Sequence, residues 1–94
     1  MFGGAGIFCD GLMFALVADD VLYLKVDGEN RAGFEAEALP AFSYQTKIGR
    51  TVIASFRRAP DRLLDDADEL AVWARASLTA AHRAQQLKPI RKLG

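Results

Sequence analysis

The spacing of apolar and polar positions divides the chain into a strand-rich first part and a helical end. Apolar residues predominate between residues 5 and 27, where two short turn signals, Asp10-Gly11 and Asp19-Asp20, interrupt them. This pattern predicts a three-stranded antiparallel meander. The predicted strands span residues 5–10, 12–18 and 21–27.

The middle strand of the meander has the sequence LMFALVA and is apolar at both odd and even positions. Side chains alternate between the two faces of a strand, so both of its faces need burial. We therefore expect a second layer of protein on each side of this strand.

After the meander, the pattern predicts a short helix and a second hairpin. Residues 29–39 mix apolar and charged positions and stop before Pro40, as suits a helix of a few turns. Apolar and polar positions then alternate in two strands, 41–48 and 51–58, which join around Ile48-Gly49-Arg50.

The last predicted element is a long helix that begins near Asp66. Asp66 and Glu69 have the spacing of a capping box, with Asp in place of the usual Ser or Thr. An apolar stripe follows at helical spacing, formed by Leu70, Trp73, Ala74, Ser77, Leu78 and Ala81. The order β-β-β-α-β-β-α predicts an α+β fold, with the C-terminal helix packed on an antiparallel sheet of about five strands.

Length and composition limit the chain to one globular domain. It has 94 residues, of which 51% are hydrophobic and 26% charged. A chain of this length cannot divide its apolar residues between two cores, and this composition is not that of a disordered protein. We therefore expect a single domain over residues 1–94, with a basic tail at 85–94.

The formal net charge is zero, but the charges are unevenly placed. Residues 70–94 hold five basic residues and no acid, and residues 38–58 hold four basic residues and no acid. A solvated helix face with a basic tail would explain this pattern, and so would a surface for an acidic partner or nucleic acid. The candidate contact residues are Lys47, Arg50, Arg57, Arg58, Arg75 and Arg83.

The sequence predicts no catalytic, cofactor-binding or metal-binding residues. The cluster Gly3-Gly4-Ala5-Gly6 lacks the Gly-Lys-Ser/Thr ending of a P-loop and precedes a strand. The single cysteine, Cys9, and the single histidine, His82, have no evident third group to orient them as a catalytic pair. We therefore expect a protein that is not an enzyme.

Features of the chain also indicate a compartment. The start lacks the basic segment of a secretory signal, and no run of about 18 apolar residues could span a bilayer. We expect a cytoplasmic protein.

Several segments together resemble the TfoX N-terminal domain, a module of bacterial competence regulators. They are MFGGAG, DGLMFALVADD, LYLKVDGENRAGFE, the strand with Phe42 and Tyr44, and LDDADELAVWARASL. The similarity runs from Met1 to about Ala84. The positions that carry the family motif are Met1, Phe2, Gly3, Gly4, Lys25 and Trp73.

The resemblance implies a small α+β domain that acts in transcription through protein contact, together with a DNA-bound regulator of the cAMP-receptor type. It implies neither catalysis nor a cofactor. The alternative is direct nucleic-acid binding through the basic hairpin and the C-terminal helix, although a net charge of zero argues against a dedicated nucleic-acid binder.

Two departures from the family pattern lead to a further expectation. Family members usually have a helix before the Met-Phe-Gly-Gly motif, and full-length regulators carry a second, helical domain. Without that first helix, one face of the strand at 12–18 would lack cover. A second copy of the chain could supply the cover, so we expect a homodimer; the alternative is that residues upstream of Met1 supply it.

Overall fold

Five strands form one antiparallel sheet in the order β1-β2-β3-β5-β4, and two helices complete the fold. The computed structural model describes residues 4–87. The elements are β1 (Gly4–Cys9), β2 (Leu12–Ala18), β3 (Val21–Lys25), α1 (Arg31–Ala36), β4 (Ala41–Thr46), β5 (Gly49–Arg58), a 3₁₀ turn (Asp61–Asp65) and α2 (Ala67–Leu87). The predicted α+β class, element order and five-stranded sheet are confirmed.

The meander follows the turn signals of the sequence. Two-residue turns join its strands, so that Cys9 pairs with Leu12 and Ala18 pairs with Val21. All four turn residues have φ between +53° and +79°, a left-handed conformation that Asp and Gly adopt more easily than most residues. The turn residues are Asp10, Gly11, Asp19 and Asp20.

Helix α1 is shorter than the predicted helix over 29–39. At its end Ala38 has a φ of 55° and donates its N–H to Glu35 O, while Leu39 donates its N–H to Phe34 O, each at 3.0 Å. This arrangement is a Schellman motif, which ends a helix and returns the chain toward the core. The helix therefore ends before Leu39, whose side chain packs against the core cluster that contains Phe34.

Helix α2 begins as its sequence predicts, with one difference at its start. Asp66 Oδ1 accepts a hydrogen bond from Glu69 N at 3.1 Å, which confirms the cap. The Glu69 carboxylate does not complete the capping box, because it binds Arg62 and Trp73 instead. The backbone N–H of Asp66 donates to the carbonyl oxygen of Leu63 at 3.3 Å, so the residue that caps α2 also ends the 3₁₀ turn.

The predicted stripe of α2 faces the sheet and packs on β2 and β3. Small residues occupy its centre, where Ser77, Ala80 and Ala81 are buried. Leu70 and Trp73 pack against the core of this face, which is formed by Ala15, Leu24, Val26, Phe34, Ala59 and Leu63. The helix was expected to pack on the sheet through Leu70, Trp73 and Leu78. This is confirmed for Leu70 and Trp73, and Leu78 is half-buried.

A second core lies on the opposite face of the sheet and corrects one expectation. Leu16 and Ala18 of β2 are buried there in a cluster with Phe42 and Phe56, from β4 and β5. The rings of Tyr23 and Phe42 meet edge to face at 4.9 Å, although β5 lies between their strands. Side chains of the β4–β5 hairpin thus cover the face of β2 that was expected to lack cover.

Candidate functional site

Three of the six candidate basic side chains have a carboxylate partner within the chain. They are Arg57, Arg58 and Arg83. Arg57 also donates Nε–H to the carbonyl oxygen of Leu39 at 2.9 Å. The partners are Glu35 at 3.6 Å from Arg57, Asp61 at 3.1 Å from Arg58, and Asp27 at 2.6 Å from Arg83. Each of these three side chains therefore has an opposite charge beside it in the same chain.

The other three candidates, Lys47, Arg50 and Arg75, are exposed. No ion pair involves them among the residues that the structure describes. Lys47 lies in the turn between β4 and β5, Arg50 lies near the start of β5, and Arg75 lies on α2. The six residues are therefore spread over the hairpin, the end of β5 and α2, and the role predicted for them stays a prediction.

Asp27 and Arg83 connect the loop before α1 to the end of α2. Arg83 Nε donates to Asp27 Oδ2 at 2.6 Å, and Arg83 Nη2 donates to Asp27 Oδ1 at 3.1 Å. Asp27 Oδ1 also accepts the backbone N–H of Glu29 at 2.9 Å. The Arg83 guanidinium holds the pKa of Asp27 below its usual value. The two residues lie 56 positions apart, so their pairing could not be found from local spacing.

A second charged group, centred on Arg62, was also missed by the sequence analysis. Arg62 makes a two-pronged contact with Glu37, at 2.6 and 2.7 Å, and another with Glu69, at 3.0 and 2.8 Å. Hydrogen bonds from Arg62 lower the pKa of both carboxyl groups. Arg62 thus connects the 3₁₀ turn to the C-terminal end of α1, at Glu37, and to the first turn of α2, at Glu69.

An apolar groove lies between α1 and α2 and opens to solvent. Its volume is about 180 Å³, and its lining residues are Asn30, Gly33, Phe34, Val72, Trp73 and Ala76. The Trp73 and Phe34 rings meet edge to face at 4.9 Å and form its floor. Val72, at the rim, is 59% exposed. The groove presents aromatic and aliphatic surface, which can receive an apolar side chain of a partner.

The structure places three of the six family-motif positions. Gly4 begins β1, and Trp73 lines the groove. Lys25 ends β3, with Nζ 5.1 Å from the centre of the Phe56 ring, a cation–π contact. Met1, Phe2 and Gly3 lie outside the described residues.

Cys9 and His82 lie at the end of β1 and on α2, where Cys9 is a half-buried free thiol and His82 is exposed. Within residues 4–87 no group of three side chains is arranged to hold a metal ion. No helix of that part of the chain is long and apolar enough to cross a membrane. The fold and its surfaces define a small α+β domain with an open apolar groove and several internal ion pairs.

Comparison with known proteins gives this domain its family. The chain belongs to the TfoX N-terminal domain family, whose model matches residues 1–81. The DNA transformation protein TfoX1 of Aliivibrio fischeri is 40% identical over 55 residues. That match covers 58% of this chain and 25% of the relative, so the chain spans only part of the relative's length. The predicted resemblance to the TfoX N-terminal domain is confirmed.

Proposed function

We propose that this chain acts in transcriptional regulation as a protein-interaction module and catalyses no reaction itself. The observation that carries the proposal is the groove between α1 and α2, because it exposes apolar surface around a tryptophan. Tryptophan is enriched among the residues that dominate binding energy at protein interfaces. Membership of a family of transformation regulators supports the same role.

The size of the groove favours a protein partner over a small ligand. Its volume of about 180 Å³ is below the range of about 300–1,000 Å³ that is usual for small-molecule sites. One apolar side chain on the surface of a partner would fit it better. By the family resemblance, the partner is a DNA-bound regulator of the cAMP-receptor type. Since such a regulator works on the chromosome, the proposed location is the cytoplasm.

Val72→Lys tests the groove, because Val72 stands at its rim and a lysine there would place a charge beside the apolar floor. We expect binding to a purified regulator of the cAMP-receptor type, on its DNA site with cAMP, to weaken about tenfold or more. Isothermal titration calorimetry measures the change. The fold should persist, since Val72 is mostly exposed.

Thr79→Lys is the matched control, because Thr79 is an exposed residue of α2 that lies two turns beyond Val72 and does not line the groove. It adds the same charge to the same helix. An equal loss of binding in both variants would show that charge on α2, and not the groove, matters. Failure of the unaltered chain to bind the regulator would refute the proposed partner.

We also propose that the chain forms a homodimer. The interface would be formed by β1, and not by the face of β2 from which a homodimer was first expected. Strand β1 lies at the edge of the sheet, contains no charged residue, and exposes Ile7 and Phe8 at 38% and 61%. An uncharged edge strand is prone to pair with a strand of another chain. Sedimentation equilibrium at micromolar concentration should show a dimer that Phe8→Lys dissociates. A monomer of 10.3 kDa for the unaltered chain would contradict the proposal.

A further inference from the structure

The tip of the β4–β5 hairpin carries an apolar side chain with no cover. Lys47 and Ile48 form the turn, and the Thr46 hydroxyl closes it by donating to Gly49 O at 2.7 Å. Ile48 is 98% exposed, more than any other large hydrophobic residue in the part of the chain that the structure describes. A branched aliphatic side chain at the end of a closed turn forms a projecting wedge.

Two basic residues flank this wedge along the chain. Lys47 and Arg50 flank Ile48 along the chain, and neither has an ion-pair partner within residues 4–87. The nearest acidic residues along the chain are Glu37 and Asp61, so the whole hairpin is free of negative charge. Lys47 and Arg50 therefore give this end of the hairpin a net positive charge.

One face of the hairpin carries Ser43, Gln45, Arg50 and the exposed Val52, and the other face anchors the hairpin. Gln45 pairs with Arg50 across the strands, and Arg50 Nη1 donates to the Ser43 hydroxyl at 2.8 Å. On the other face, Phe42 and Ile53 pack into the second core of the sheet. The core thus holds the base of the hairpin, while the face with Arg50 and Val52 and the tip extend into solvent.

We propose that the tip of this hairpin enters a groove of duplex DNA, with Lys47 and Arg50 on phosphates and Ile48 against the bases. Proteins that read DNA with β-ribbons place their strands in the major or the minor groove, and minor-groove proteins combine Arg, Lys and Gln side chains with apolar wedges such as Ile. The site is distinct from the groove at Trp73 and goes beyond the proposed protein contact. The proposed site does not include Arg57, Arg58 or Arg83, because each of them forms an ion pair within the chain.

DNA fits the tip better than an acidic protein does. Around Ile48 the projecting face offers cations and hydrogen-bonding groups, namely Lys47, Arg50, Gln45 and Ser43, beside one exposed apolar residue, Val52. The centre of a protein interface, in contrast, is depleted of charge. Two phosphate contacts imply a slope of about −1.8 for the logarithm of affinity against the logarithm of salt concentration. The affinity should then fall about tenfold between 50 and 200 mM salt.

The test is the fluorescence anisotropy of a labelled 20-base-pair duplex titrated with the full chain at 50 and 200 mM salt. We expect a Kd of about 10⁻⁴–10⁻⁵ M at the lower salt concentration, in the range of non-specific binding. The double variant Lys47→Gln/Arg50→Gln should bind about tenfold more weakly and lose most of the salt dependence. Both side chains are exposed, so thermal unfolding followed by circular dichroism should be unchanged.

Arg75→Gln is the matched control, because it removes another exposed cation without an ion pair in the described part of the chain, this time from α2. It should weaken binding less than about twofold. A loss equal to that of the hairpin variant would overturn the proposal. So would a variant of the basic tail, Lys88→Gln/Arg91→Gln/Lys92→Gln, that abolishes binding while the hairpin variant retains it.

Two further measurements address the wedge and the class of partner. If Ile48 separates stacked bases, the unaltered chain should increase the fluorescence of 2-aminopurine placed in the duplex. Ile48→Ser removes the wedge and keeps both cations, so it should abolish this increase and leave the salt dependence of binding unchanged. Polyglutamate, added at the same total charge as the duplex, should compete poorly with the duplex for binding to the chain. Competition equal to that of unlabelled DNA would overturn the proposal in favour of an acidic protein surface, and no binding at 50 mM salt would overturn it outright.

Discussion

Replacing Phe34 by alanine should lower the free energy of unfolding by about 3–5 kcal/mol. Phe34 is the one buried side chain of α1, with 1% of its surface exposed. It packs in the core of the helical face with Leu24 and Leu63, and its ring meets Trp73 edge to face. The substitution would leave a cavity where the short helix, the sheet and α2 meet. Since domains of this kind are stable by about 5–15 kcal/mol, it would remove a large share of that stability.

Urea unfolding followed by the fluorescence of Trp73, the single tryptophan, measures this loss. Phe8→Ala is the matched control, because it deletes the same ring from a side chain that is 61% exposed on β1. That variant should cost less than about 1 kcal/mol. A loss below about 1 kcal/mol for Phe34→Ala would mean that α1 does not pack on the sheet as described.

Phe34 also links stability to the proposed interaction, because its ring is part of the floor of the groove at Trp73. Helix α1 has only six residues and would not be stable by itself. Its position depends on this ring, on the Schellman motif at Ala38 and on the Asp27 contacts before it. A partner that binds the groove would therefore stabilise α1, and groove variants should be compared only after their folding has been checked.

Local patterns predicted the elements of the fold correctly, because each depends on neighbouring residues. The Asp10-Gly11 and Asp19-Asp20 signals determine two turns, and the stripe that contains Ser77 and Ala81 determines which side of α2 is buried. The end of α1 was less predictable. It depends on one alanine in a left-handed conformation, which is uncommon for a residue other than glycine.

The pairings between distant residues could not be predicted from the sequence, because periodicity assigns a face to a side chain but not a partner. Arg62 and Glu37 lie 25 residues apart, and Arg83 and Asp27 lie 56 apart. The same limit applies to the face of β2 that holds Leu16. Its cover comes from Phe42, in a strand that is not adjacent to β2 in the sheet. These long-range contacts also reduced the candidate basic surface to the hairpin tip and Arg75.

The second large effect is expected at the Asp27–Arg83 pair, where Asp27→Asn should lower stability at pH 7 by about 1–2 kcal/mol. The amide oxygen of asparagine can still accept the N–H of Glu29, so the variant removes mainly the charge that Arg83 binds. The loss of stability should be modest because 24% of the Asp27 side chain is exposed to solvent.

The pH dependence distinguishes this charge contribution from a loss of packing. The pKa of Asp27 is lower in the folded chain than its usual value, chiefly because of the hydrogen bond from Arg83. A carboxyl group with a lowered pKa stabilises the fold above its unfolded pKa of about 3.9, and this contribution is lost as the pH falls through the folded pKa. The stability difference between the unaltered chain and Asp27→Asn should therefore be constant from pH 7 to about 5 and shrink below about 4. Glu37 and Glu69 also have lowered pKa values, but they are present in both proteins, so their contribution cancels in the difference. A difference in unfolding free energy that stays the same down to pH 2 would show that Asp27 acts through its shape and neutral hydrogen bonds, and not through its charge on Arg83.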